Sequence, residues 1–179
     1  MQRLKIHIIY LLLWCCFLLI SCESAQNEEK AVACYFQYEY VNYAWGFSHS
    51  GFTITPSGAV YSFSKSTPWV FASGDKISSA DFLKNISASV KADTLIPLAD
   101  IAHYQHLAEA AISGKMSEPV QRGADMGAII CKIIIPEPSD PKNIWHEVIL
   151  AKTGDIEQHN LAPEATVIAQ WLTNLPIIR

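Results

Sequence analysis

The chain has no glycine-rich phosphate loop, no Gly-x-Gly-x-x-Gly fingerprint, no His-Glu-x-x-His helix and no calcium loop. Those gaps remove the nucleotide, dinucleotide, zinc-peptidase and EF-hand classes that such spacings define, and no cofactor is implied. Basic clusters and basic amphipathic helices are missing too, so neither nucleic acid nor an anionic membrane face suits it as the main partner. No internal repeat recurs, and strands do not alternate regularly with helices, which argues against a doubly wound sheet. The longest apolar stretch, Ile8 to Ile20, has 13 residues, fewer than the roughly 20 a helix needs to cross a bilayer.

What that stretch does fit is the core of a secretory signal peptide, with Arg3 and Lys5 before it and Ser21 at its end. The ending Leu19-Ile20-Ser21-Cys22 resembles the lipobox of bacterial lipoproteins. That resemblance implies removal of residues 1–21 and acylation of Cys22, with palmitate-type chains holding the new N-terminus in a membrane; several chains on one residue anchor stably where one is marginal. Glu23 in place of Asp after the cysteine leans towards the outer membrane, if the cell is Gram-negative. Residues 22–31 are then a polar tether, and 32–179 one domain of a size that can hold its own core.

Cysteine is scarce in that domain. Only Cys34 and Cys131 remain beyond the leader and Cys22. An exported chain with an even pair suggests one disulfide; two separate buried thiols are the alternative. Neither they nor the histidines cluster at metal-ligand spacing. The mature chain has 11 basic and 17 acidic residues, a formal charge of −6.

Along the domain, Tyr35 to Tyr43 reads as a strand whose two faces are both largely aromatic or apolar. Residues 51–55 and 59–63 flank Pro56-Ser57-Gly58, proline early and glycine late, which predicts a β-hairpin. Residues 65–76 read as an irregular connection, Ser79 as the N-cap of a short helix, and Leu98 onward as a longer helix stopped by Gly114. The run Ile129 to Ile135 and the segment 144–150 predict two further strands that could pair. Asn160 reads as an N-cap, Pro163 lies in a first turn, and Val167, Ile168, Trp171 and Leu172 form an apolar stripe. The order predicts an α+β fold, an antiparallel sheet with helices packed on one face.

Catalytic patterns are weak. Gly46-Phe47-Ser48-His49-Ser50-Gly51 misses the nucleophile-elbow spacing by one residue and runs into a strand. Ser62-Phe63-Ser64-Lys65 matches Ser-x-x-Lys without its companion motifs. His103 and His106, with Asp100 and Glu109, could line one side of a helix, but a solvated helix face carries the same residues. A hydrolase would have to assemble His49, His146 or the helix pair around an acid or serine by folding.

Aromatic side chains are crowded between 35 and 52, and Tyr38, Tyr40, Tyr43 and Trp45 are the candidate binding patch for an envelope protein, peptide or glycan. The alternative is that both sheet faces are covered, one by helices and one by loops. The segment Tyr40-Val41-Asn42-Tyr43-Ala44-Trp45-Gly46, with Gly154-Asp155, Asn160, Ala165, Trp171 and Leu172, resembles small bacterial envelope proteins. That resemblance implies a shared fold and transfers no site. The sequence thus favours a lipid-anchored, non-enzymatic interaction domain of the cell envelope over an envelope hydrolase.

Overall fold

A computed structural model describes residues 33–64 and 68–177. Cys22, the leader and Lys65 lie outside the described residues. The elements, in chain order, are β1 (Tyr35–Asn42), β2 (Ser48–Ile54), β3 (Ala59–Ser64), β4 (Lys76–Ser78), α1 (Ser79–Ala88), β5 (Val90–Leu95), α2 (Leu98–Ile112), β6 (Val120–Gln121), β7 (Ala128–Pro136), β8 (Ile144–Gly154), β9 (Ile156–His159) and α3 (Pro163–Asn174). All strand pairs are antiparallel, in the order β5-β3-β2-β1-β7-β8-β9-β6, with β4 also on β8. The fold is α+β, as the sequence predicts.

The hairpin between β2 and β3 turns where expected. Gly58 adopts φ 80°, a left-handed conformation that costs glycine little, while the Gly58 amide donates to Thr55 O and Thr55 N to Ala59 O, both at 2.9 Å. The N-cap of α1 lies one residue before the expected Ser79: Ser78 Oγ accepts from Asp81 N at 3.0 Å, and the Ser79 hydroxyl instead donates to Lys142 O at 2.7 Å.

Helices α2 and α3 cover one face of the sheet. Phe36, Phe52, Ile54, Val60, Ile133 and Leu150 point at Ile101, Ala108 and Ala111 of α2 and Ala165, Ile168 and Leu172 of α3, all buried. At about 1.5–3 kcal/mol for each large apolar side chain taken from water, this layer dominates the stability. Trp171 joins the parts: its ring stacks on Tyr104 at 3.8 Å and meets Phe36 edge-on at 5.2 Å. Val167, expected in the stripe, is exposed.

The opposite face is covered differently. Short α1 lies over one end, with Phe82 and Ile86 packing with Ile77 and against Tyr35, Ile134 and Trp145, and the connection around Trp69 and Phe71 lies over the middle. Among the described residues no helix is long and apolar enough to cross a membrane.

Asn160 is not the N-cap of α3; Ala162 holds that position without a side-chain cap. Buried Asn160 instead donates through Nδ2 to Ala111 O at 2.8 Å and accepts at Oδ1 from Ala162 N at 3.0 Å, tying the end of α2 to the start of α3. Asn160→Ala strips both bonds and leaves the half-buried Ala162 N without its partner, while Ala111 O keeps the bond from Gly114 N at 3.1 Å, so a loss of about 1–2 kcal/mol is expected in a urea melt. An unchanged midpoint would show that the clamp is idle.

Candidate functional site

The middle of the opposite face holds a buried polar network that begins with two residues of β1. Gln37 and Glu39 point away from the α2 and α3 layer because side chains alternate along a strand. Strand pairing then supplies their partners: Gln37 faces Thr53 and Lys132, and Glu39 sits one rung on. Glu39 Oε1 is 3.0 Å from Lys132 Nζ, and its Oε2 accepts from Gln37 Nε2 at 2.9 Å and lies 3.0 Å from His49 Nε2. Lys132 Nζ also donates to Glu147 Oε2 at 2.8 Å, and Thr53 Oγ1 to Gln37 Oε1 at 3.2 Å.

Burial alone would raise the Glu39 pKa. The Lys132 charge and the bonds from His49 and Lys132 outweigh it and hold the carboxyl at about 2. Burial pulls the Lys132 pKa down in turn, and its two carboxylate partners reverse this to a net rise. An ionised Glu39 can only accept, so Nε2 of His49 carries the proton. The other ring nitrogen, Nδ1, is buried with no hydrogen-bond partner among the described residues, and the ring is boxed by Phe63 and Trp69 at 4.8 Å and Phe71 at 5.1 Å.

Beyond this network the face is open. A cavity of about 580 Å³ lies over the hairpin end of β1, β7 and β8, floored by Val41, Ala128 and Ile130, with Glu39 at its inner side. Tyr43 and Phe71 give it aromatic walls, and Asp125, Lys152 and Asp155 also line it. Its size falls within the roughly 300–1,000 Å³ of small-molecule sites. Lys152 reaches it because of a β-bulge: Lys132 faces Ile149 while Cys131 faces Ala151, leaving Leu150 over on β8. Without that extra residue the strict alternation would turn Lys152 to the helix-covered face.

The four aromatic residues singled out in the sequence do not form one patch. Tyr38 stacks on Phe52 at 5.5 Å on the helix-covered face, and Tyr40, on the same face, donates to Met126 O at 3.3 Å and accepts from Asn42 Nδ2 at 2.9 Å. Tyr43 and Trp45 sit on the β1–β2 connection, 69% and 87% exposed, with Tyr43 packed on Phe47 at 5.3 Å. Only this second pair borders the open end, and Tyr43 alone lines the cavity.

Cys34 and Cys131 are both buried free thiols, and the expected disulfide is not made. The register explains it. Cys131 pairs with Tyr38, whereas Cys34 precedes Tyr35, which pairs with Ile134; the offset is four residues, about 13 Å along the strand, against the roughly 7 Å limit of a disulfide. Burial pushes the thiols up to about 12 for Cys34 and about 11 for Cys131. Neither is therefore expected to react with a disulfide-exchange reagent in the folded protein, and both should react in denaturant. Fast native-state labelling of either would contradict this packing.

The histidines are dispersed. His49 is sealed in its aromatic box. His146 is at the start of β8, with Nδ1 3.2 Å from Asp75 Oδ2 and Nε2 bonded to Glu137; that bond is the main reason the Glu137 carboxyl falls to about 2. Since His49 faces Val41, Val41 faces Ala128 and Ala128 faces Gly154, His146 lies roughly 25 Å further along the strand direction. His103 and His106 are on α2, across the sheet from His49, where His106 Nδ1 is 3.9 Å from Glu109 Oε2. Among the described residues no group of three His, Cys, Asp or Glu side chains could hold a metal ion. Ser48, His49 and Ser50 belong to strand β2 rather than to an elbow.

Comparison with models of known families, with curated proteins and with solved structures finds no match for this chain.

Proposed function

We propose that this protein is a lipid-anchored domain of the bacterial cell envelope, held by acylated Cys22, that binds a small ligand or a short segment of a larger one without transforming it. The observation that carries the binding half is the cavity over Val41, Ala128 and Ile130. It is preformed, apolar at its floor and lined by several polar groups, the composition of a ligand site. Other parts of the same sheet face are covered by α1 and by the Trp69–Phe71 connection. The anchoring half rests on the Leu-Ile-Ser-Cys ending and the basic, apolar leader before it. Dispersal of the histidines supports a binding role over a hydrolytic one, because general base, acid and nucleophile must meet within hydrogen-bond reach.

Crystals soaked with a library of small fragments test the site. Density is expected between Phe71 and Ile130. Fragments that avoid this cavity and settle in the smaller hollow of about 490 Å³ beside Ser50, Ser62 and Ser64 would overturn the assignment.

A further inference from the structure

The cavity carries charges of both signs that the protein leaves uncompensated. Among the described residues Asp125, Asp155 and Lys152 form no ion pair. Asp155 Oδ1 accepts from Met126 N at 2.8 Å; the Asp125 carboxylate and the Lys152 ammonium make no hydrogen bond there. The charges are also ordered in space. Asp155 follows β8 at the mouth, beside Gly127, whose carbonyl accepts its amide at 2.9 Å. Lys152 stands three residues inward on the rung of Ile130 and Glu39, about 10 Å back along the strand. Between them lies apolar floor, with Tyr43 and Phe71 on the walls.

Resting on the reading of this cavity as a binding site, we infer that its ligand is a zwitterion with an apolar body, namely a short peptide with free amino and carboxyl ends. The amino end lies against Asp125 and Asp155, where the Tyr43 ring adds attraction for a cation. The carboxylate meets Lys152, whose attraction is strengthened beside apolar walls. The spacing suits two or three residues of extended chain at about 3.4 Å each. The Glu39 carboxylate is already engaged by Lys132, Gln37 and His49 and is not free to pair with the ligand. A phosphoethanolamine headgroup offers the same two charges but has no apolar body for the floor, so the peptide is the better match.

The test uses the full chain in detergent with isotope-labelled isoleucine methyl groups, titrated with the peptide alanyl-phenylalanyl-alanine, its N-acetylated form, its C-amidated form, phosphoethanolamine and indole. The free peptide should shift the Ile130 and Ile156 methyl signals, and each cap should weaken binding at least tenfold. Lys152→Met should erase the difference between free acid and amide and leave the N-acetyl effect intact; Asp125→Asn should reduce the N-acetyl effect. If a variant misfolds, the capped peptides on the natural protein decide alone. Equal binding of free and capped peptides overturns the zwitterion, and phosphoethanolamine binding as tightly as the peptide overturns the peptide. Should indole move both methyls while the peptide does not, the cavity stands and the ligand class falls. If no probe moves them, both readings fall.

Discussion

Lys132→Met is expected to destabilise the fold by about 3–5 kcal/mol, the cost of breaking a buried ion pair from one side. The change strands Glu39, which is buried, and removes the one ammonium that, among the described residues, pairs with both Glu39 and Glu147. Adding Glu39→Leu to Lys132→Met should recover part of the loss, because removing both members of a buried pair often costs little. Simple additivity of the two changes in a denaturant cycle would contradict the coupling. Acid provides a second reading of the same interaction. Glu39 has a folded pKa of about 2, depressed from its ordinary value of 4.5. Its contribution is therefore complete above the ordinary value and is lost as pH falls from there towards about 2. Lys132→Met should flatten that part of the stability profile; an unchanged acid limb would show that the pair is not coupled in solution.

Gly154→Ala should also be costly, by about 2–4 kcal/mol through backbone strain and overlap together. Gly154 has φ 131°, which side-chain-bearing residues rarely adopt. A Cβ there would also stand 2.1 Å from Gly127 O, so the β8–β9 turn must move away from the start of β7. That movement would carry Asp155 from the cavity mouth and weaken its bond from Met126 N. The variant should melt earlier and, at a temperature where it is still folded, bind any cavity ligand more weakly. A destabilised variant with unaltered binding would separate the turn from the site.

Parts of this architecture were legible because local chemistry decides them. Pro56-Ser57-Gly58 fixes a turn by its own dihedral preferences, and the apolar spacing of Ile101, Tyr104 and Ala108 needs only a partner surface to become a helix. Strand β5 was missed because Val90-Lys91-Ala92-Asp93-Thr94-Leu95 has little apolar alternation, its side chains being largely exposed on an edge of the sheet; charged residues on an edge strand discourage pairing with other chains. Gln37 and Glu39 stand out in an aromatic strand, but their partner Lys132 is embedded in a run of isoleucines 93 positions beyond Glu39, and only the register joins them. The same register rules out the Cys34–Cys131 bridge that residue counting suggested.

The cavity had no local signature. It depends on a bulge at Leu150 that re-aims Lys152, on the turn that places Asp155, and on Phe71 in a connection that reads as irregular. Tyr43 reads in the sequence as the end of the first strand and Trp45 as part of the same aromatic cluster; their separation from Tyr38 and Tyr40 follows from the end of β1 at Asn42, after which the chain leaves the sheet.

Native mass spectrometry of the full chain, extracted from its own envelope in mild detergent, tests the account most directly when compared with an Ala128→Trp variant that fills the cavity floor. The expected spectrum shows a chain beginning at acylated Cys22 with a small non-covalent ligand bound, and the variant shows the same acylated chain without it. A chain that keeps residues 1–21, or a bound mass that is equally present in the variant, would contradict it.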